Sequence, residues 1–274
     1  MLGTVPFFAY VAAFLLVPTL IVIVGAFRSK SGAFTWGNIK ALTTQDVIAA
    51  FVRSVVLSAV TAVIGAVVGG LLAYVLSTAG GSTFTRKVVA AACSVLAQFG
   101  GVMLAFAFIA TVGSNGTVTR VLASLFGVQS DGAWLYTMPG LILVYSYFQI
   151  PLMVLVFLPA VDGIRPQWRE SCDTLGGSTW TYWTRVAGPL LTPAFLGSLL
   201  LLFANSFSAY ATAAALITQA NPLVPLQISG AITNEINVGD ADIAKALALG
   251  MVVVVALVMW GYSKISSRAA RWLG

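Results

Sequence analysis

The chain contains no histidine and only two cysteines, and 8% of its 274 residues are charged. Without histidine there is no H-E-x-x-H metal site and no histidine-assisted serine or cysteine nucleophile, which sets intramembrane hydrolysis aside. None of the five lysines follows a glycine, so the pattern G-x-x-x-x-G-K-[ST] cannot occur and no nucleotide is cradled by that device. Cys93, in an apolar run, and Cys172, in a polar stretch, have no spacing that suggests a disulfide or a metal site. The net charge of +6 is scattered over short segments, which argues against nucleic acid and fits contact with anionic lipid headgroups.

Apolar residues are abundant instead, 59% of the chain against about 45–50% in soluble proteins. Six runs are long enough to span a bilayer: about Val5–Phe27, Ser54–Leu76, Val88–Val112, Leu135–Val161, Leu190–Ile217 and Ile243–Tyr262. The expected fold is an all-α integral membrane protein with six transmembrane helices, one domain over residues 1–274. The first run lacks the basic start and small-residue cleavage site of a secretory signal and reads as a retained helix. No basic residue precedes it, from which we expect a basic N-terminal extension. Ser114–Gly132 is a polar excursion whose apolar patch, Val121–Phe126, is expected to lie along the membrane surface.

One long polar segment interrupts this pattern, at Pro166–Pro189 within the loop 162–189. Pro166 suits a first helical position, and Trp168, Cys172 and Leu175 follow on one face. Gly176 and Gly177 stop that helix, and Ser178 can cap a second one, with Trp180 and Trp183 one turn apart and Pro189 at its end. A helix–turn–helix on a membrane surface is suited to being gripped by another protein.

Glu170-Ser171-Cys172, Gly176, Val186 and Pro189 stand at the spacing of E-A-A-x-x-x-G-x(9)-I-x-L-P, and the segment resembles this signature of permease subunits of binding-protein-dependent ATP-binding-cassette (ABC) importers. Ser171 and Cys172 replace the usual alanines, and Gly188 the usual leucine. The resemblance implies that Arg169, Glu170, Ser171, Cys172 and Gly176 couple the chain to an ATPase. It also implies a second permease subunit, two ABC ATPase subunits that bind ATP and Mg, and an extracytoplasmic substrate-binding protein. No cofactor is expected in this chain, which would be a transport subunit and not an enzyme, multi-pass in a bacterial-type inner membrane with both termini cytoplasmic. With that orientation the inside holds eight basic residues against six outside, a weak positive-inside bias. Asn205 to Thr212, Pro225 to Ile228 and Asn237 to Asp240 are similar to the spermidine/putrescine branch, which also contains iron(III), thiamine and phosphonate importers.

Polar groups inside the runs are the candidate pathway: Tyr145 and Gln149 beside Pro151 in the fourth, and Asn205, Ser208 and Tyr210 in the fifth. Hydrogen bonding between helices is the other meaning of such groups. All eight carboxylates fall in the expected loops, which disfavours an ion-coupled secondary transporter and a carboxylate-lined path for a polycation. Glu235, Asp240 and Asp242 in an outer loop can draw a cation toward the entrance. A polyamine-like solute is the narrow expectation; a phosphonate, iron(III) or thiamine importer, an ion-coupled transporter and a membrane scaffold remain as alternatives.

Overall fold

The structure is a computed structural model, and it describes residues 5–28, 33–78, 83–127, 132–217, 223–233 and 240–270. The helices are α1 Val5–Ala26, α2 Gly37–Ala41, α3 Gln45–Thr78, α4 Thr83–Gln98, α5 Gly101–Val112 and α6 Thr117–Phe126. They continue with α7 Met138–Asp162, α8 Pro166–Thr174, α9 Thr179–Ser208, α10 Ala211–Leu216, α11 Val224–Thr233 and α12 Asp240–Ala270. No strand occurs among the described residues, and six segments are long and apolar enough to cross a membrane. Glu235 and Asn237, named above, lie outside the described residues, as do the side chains of Asp240 and Asp242.

Several boundaries differ from expectation for identifiable reasons. The third run is not one helix: it breaks between Gln98 and Gly101, where Gly101 takes φ +73°, and the third candidate span is Gly101–Leu125, itself turned between α5 and α6. The fifth run starts earlier than expected. Pro189 does not separate the second loop helix from the span, because Trp183–Ala187 is a π-helical stretch that carries the helix through. Gly188 N–H bonds the carbonyl of Trp183, five residues back, so the ladder is rewidened just before the residue that has no donor. The same solution recurs in α1, where Ala12–Leu16 is π-helical and Val17 N–H bonds Ala12 O just before Pro18. The fifth run then stops at Ser208, Ala209 is extended (ψ 101°), and α10 follows as a separate short helix.

Contacts group the chain into two units, one of Met1–Ser54 with Gln219–Leu257 and one of Val55–Thr218 with Val258–Gly274. In the first, Ala50, Val224 and Leu247 form a core, covered by Val47, Phe51, Ile228 and Met251 among others. Ser54 Oγ accepts from Val224 N (3.0 Å), and Asn38 Nδ2 donates to Ala26 O (3.2 Å) and Arg28 O (3.0 Å), pinning the turn after α1.

In the second unit α4 and α9 pack on α7, and α10 packs on α5. Gly65 and Gly69, four apart on α3, allow close approach: a Cβ on Gly69 would sit 2.5 Å from Ile150 O, and one on Gly65 would sit 2.9 Å from Gln149 Cβ. Small residues at that spacing are how helices meet inside lipid, where apolar burial supplies no drive. Polar side chains on these faces bond across helices: Thr61 Oγ1 and Ser206 Oγ are 2.9 Å apart, and Tyr262 OH donates to Pro193 O (3.1 Å).

Candidate functional site

The polar loop is built as a pair of helices closed by a specific turn. Pro166 occupies the first turn of α8. At the other end Gly176 N–H bonds Asp173 O (3.0 Å) and Gly177 N–H bonds Cys172 O (2.8 Å), the double closure that satisfies the last carbonyls of a helix. The geometry places Gly176 at φ +76°, a region that costs a Cβ-bearing residue roughly 1–2 kcal/mol. A Cβ on Gly177 would meet Cys172 Sγ at 2.5 Å. Ser178 caps the next helix as expected, its Oγ accepting from Thr181 N (3.2 Å).

Arg169 holds the two arms together. Its Nη2 donates to Thr179 Oγ1 (3.4 Å), and its guanidinium lies over the Tyr182 ring, 5.6 Å from the centroid. Tyr182 is the buried aromatic of this arm, and Trp183 meets Tyr74 of α3 edge-on at 5.1 Å. The expected apolar faces are corrected accordingly. Trp168 and Cys172 are half-buried, but Leu175 has left the helical path at the turn and is 87% exposed, and Trp180 is 77% exposed. Glu170 and Ser171 are exposed on the outside of α8. The loop thus presents a carboxylate and two large apolar side chains to solvent, a composition that marks docking surfaces.

Where the loop leaves the bundle, Asp162 pairs with Arg86 and accepts from Ser77 Oγ (2.8 Å). One carboxylate therefore ties together the end of α3, the start of α4 and the end of α7.

The candidate pathway residues separate into two groups. Tyr145 and Gln149 are fully buried at 0% exposure. Tyr145 OH donates to Ala209 O (2.8 Å), satisfying a carbonyl freed where α9 ends, and Gln149 Nε2 donates to Leu202 O (2.7 Å). Gln149 Oε1 accepts no hydrogen bond among the described residues. Their contacts are helix to helix. Asn205, Ser208 and Tyr210 are exposed around the last turn of α9 and the break that follows it. Sequence reasoning missed Thr212: its Oγ1 accepts from Gly101 N (3.0 Å) and donates to Gly101 O (3.3 Å), so α10 is clamped to the break before α5. The Gly100-Gly101 pair was the available signal. Two interrupted helices thus meet at one place, where side chains satisfy backbone groups that the interruptions free.

No protein-family model matches the chain. It is 27% identical over 164 residues, 55% of its length, to the sulfate transport system permease protein CysT of Escherichia coli (strain K12). It is 30% identical over 165 residues, 59% of its length, to the molybdenum transport system permease protein ModB of Mycobacterium bovis. It is 24% identical over 247 residues, 88% of its length, to a putative ferric transport system permease protein, FbpB 1, of Haemophilus influenzae. The matched region spans 57% of the sulfate and molybdenum proteins and 37% of the ferric one.

Among solved structures it matches a bacterial ABC transporter involved in the import of the acidic polysaccharide alginate, with a TM-score of 0.75 and 19% identity, over 96% of this chain and 93% of that one. The same fold match holds for the alginate transporter in complex with a pentasaccharide-bound periplasmic protein, at a TM-score of 0.74. The chain is therefore a multi-pass, all-helical membrane protein with the fold of an ABC importer subunit, and its relatives are transport-system permeases.

Proposed function

We propose that this chain is the permease subunit of an ATP-driven importer of the inner membrane, forming half of a translocation pathway. The observation that carries the reading is the loop: a turn-locked helix pair with Glu170, Leu175 and Trp180 outward, attached through a continuous helix to a span. Arg169, Glu170, Ser171, Cys172 and Gly176 are the ATPase-facing positions. ATP and Mg belong to two ATPase subunits, and a second permease and an extracytoplasmic binding protein complete the assembly. Both termini lie on the cytoplasmic side with the loop.

In this mechanism the loop follows the ATPase groove as it closes and opens, and α9 passes the movement to its far end. There Asn205, Ser208 and Tyr210 face the solute, with Tyr145, Gln149 and Thr212 holding the backbone behind them. Glu170→Ala and Gly176→Asp should insert normally yet lower substrate-stimulated ATP hydrolysis at least several-fold. Full stimulation in both would sink the assignment.

The solute is a small charged species. A polyamine fits the sequence similarity in Asn205–Thr212, whereas the names of the relatives favour an oxyanion or ferric iron. The absence of mid-span carboxylates among the described residues supports the anion over the polycation. Competitive uptake of sulfate, molybdate, ferric iron and spermidine by the reconstituted complex decides among them, and spermidine alone would return the polyamine reading.

A further inference from the structure

An apolar groove of about 510 Å³ lies within the second unit between α3, α7 and the start of α9. Val67, Leu71 and Tyr74 form one wall, Phe157 and Val161 the floor, and Trp183, Gly188 and Phe195 the other wall. Val67 and Leu71 are 50% and 61% exposed and continue an outward stripe with Val63, so the groove opens on the outer side of the helices. It is bounded at one end by the Tyr74–Trp183 pair, two amphipathic rings of the type found where membrane meets water. Gly188 leaves room there: the helix has no side chain at the point where the π stretch ends.

The same end of the helices is positively charged. Arg86, Lys87, Arg165, Arg169, Arg185 and Lys264 stand there against Asp162, Glu170 and Asp173, and Arg185 lies in the π stretch between the lining residues Trp183 and Gly188.

We infer that this groove holds one acyl chain of an anionic phospholipid from the adjoining leaflet, with its headgroup among the basic residues around Arg185. The walls supply the apolar surface that a chain buries, and the excess positive charge selects the headgroup. The site lies beside the π stretch through which the second helix of the loop continues into the span, so an occupying chain lies between α3 and α9 at that level. It goes beyond the transport reading and is tested without ATPase or uptake.

The wild-type protein and four variants are purified from membranes in mild detergent, and bound phospholipid is counted by native mass spectrometry with added phosphatidylglycerol or phosphatidylcholine. Val67→Trp and Leu71→Trp fill the groove from exposed positions and should each lose one bound phosphatidylglycerol per chain. Val63→Trp, on the same stripe but outside the lining, controls for folding and should keep it. Arg185→Gln should weaken the preference for phosphatidylglycerol about fivefold. Equal retention in all variants overturns the proposal, as does equal retention of phosphatidylcholine by the wild type. Disulfide trapping of Thr192→Cys to a helix of a second permease copy also overturns it, because the groove would then be a subunit interface.

Discussion

Gly65 and Gly69 set how closely α3 can approach α7 and α9, and the expectation for such a glycine is the opposite of that for one with open space around it. At Gly69 the nearest atoms are a backbone carbonyl and the Met153 Cβ, neither of which can swing away, while at Gly230 there is open space. Gly69→Val should therefore destabilise the folded protein by about 1–3 kcal/mol, and Gly230→Ala should leave it unchanged. Thermal unfolding in detergent, followed by loss of the monodisperse peak, measures both; equal midpoints would remove Gly69 from the packing. Single residues were only partly legible beforehand. Ser178 as a cap and Gly176 as a stop follow from local chemistry, which any chain segment carries with it. The burial of Tyr145 and Gln149, against the exposure of Asn205, depends on which helix lies alongside, and no local pattern encodes that.

At the scale of the element, the six apolar runs were legible because length and hydropathy suffice to recognise a span. Their interruptions were not. Pro189 reads locally as a helix end, yet the helix crosses it, and the break at Gly101 is stabilised by Thr212, more than a hundred residues away. The π stretch also gives a physical basis for Gly188, which stands where the signature that the loop resembles has leucine. A Cβ at 188 would run into the Trp183 carbonyl oxygen, the acceptor of the Gly188 N–H. Gly188→Leu, although it restores the more usual residue, should destabilise this chain by about 1–3 kcal/mol and increase protease cleavage within 175–188. Unchanged cleavage and stability in that variant would mean that the stretch is α-helical in solution. For the turn, Gly176→Ala should cost roughly 1–2 kcal/mol and Gly176→Asn less, since asparagine tolerates positive φ.

For the molecule as a whole, the ion pair of Asp162 with Arg86, joined by Ser77, sits where three helices converge on the loop. Both groups are partly exposed, so the pair contributes little to stability, about 0–1 kcal/mol, and its importance is positional. Asp162→Asn should leave the unfolding midpoint nearly unchanged while loosening the loop, read as faster hydrogen exchange over 166–182. Identical exchange would assign the pair to the surface alone. The π stretch has a further meaning at this scale, as a matter of angular phase. A π turn accommodates one residue more than the α-helix around it, and each α-helical residue advances the chain by 100° and 1.5 Å. Deleting one residue from Trp183–Ala187 should therefore restore an ordinary helix and leave the loop near its present azimuth around the axis of α9, because the wide turn has already absorbed the rotation of the extra residue. Such a protein would fold, insert and still present Glu170 and Trp180 on the same side, whereas one alanine added to the α-helical part of α9 would swing the loop by about a quarter-turn. The direction in which the loop points is thus insulated from one supernumerary residue by the wide turn that holds it.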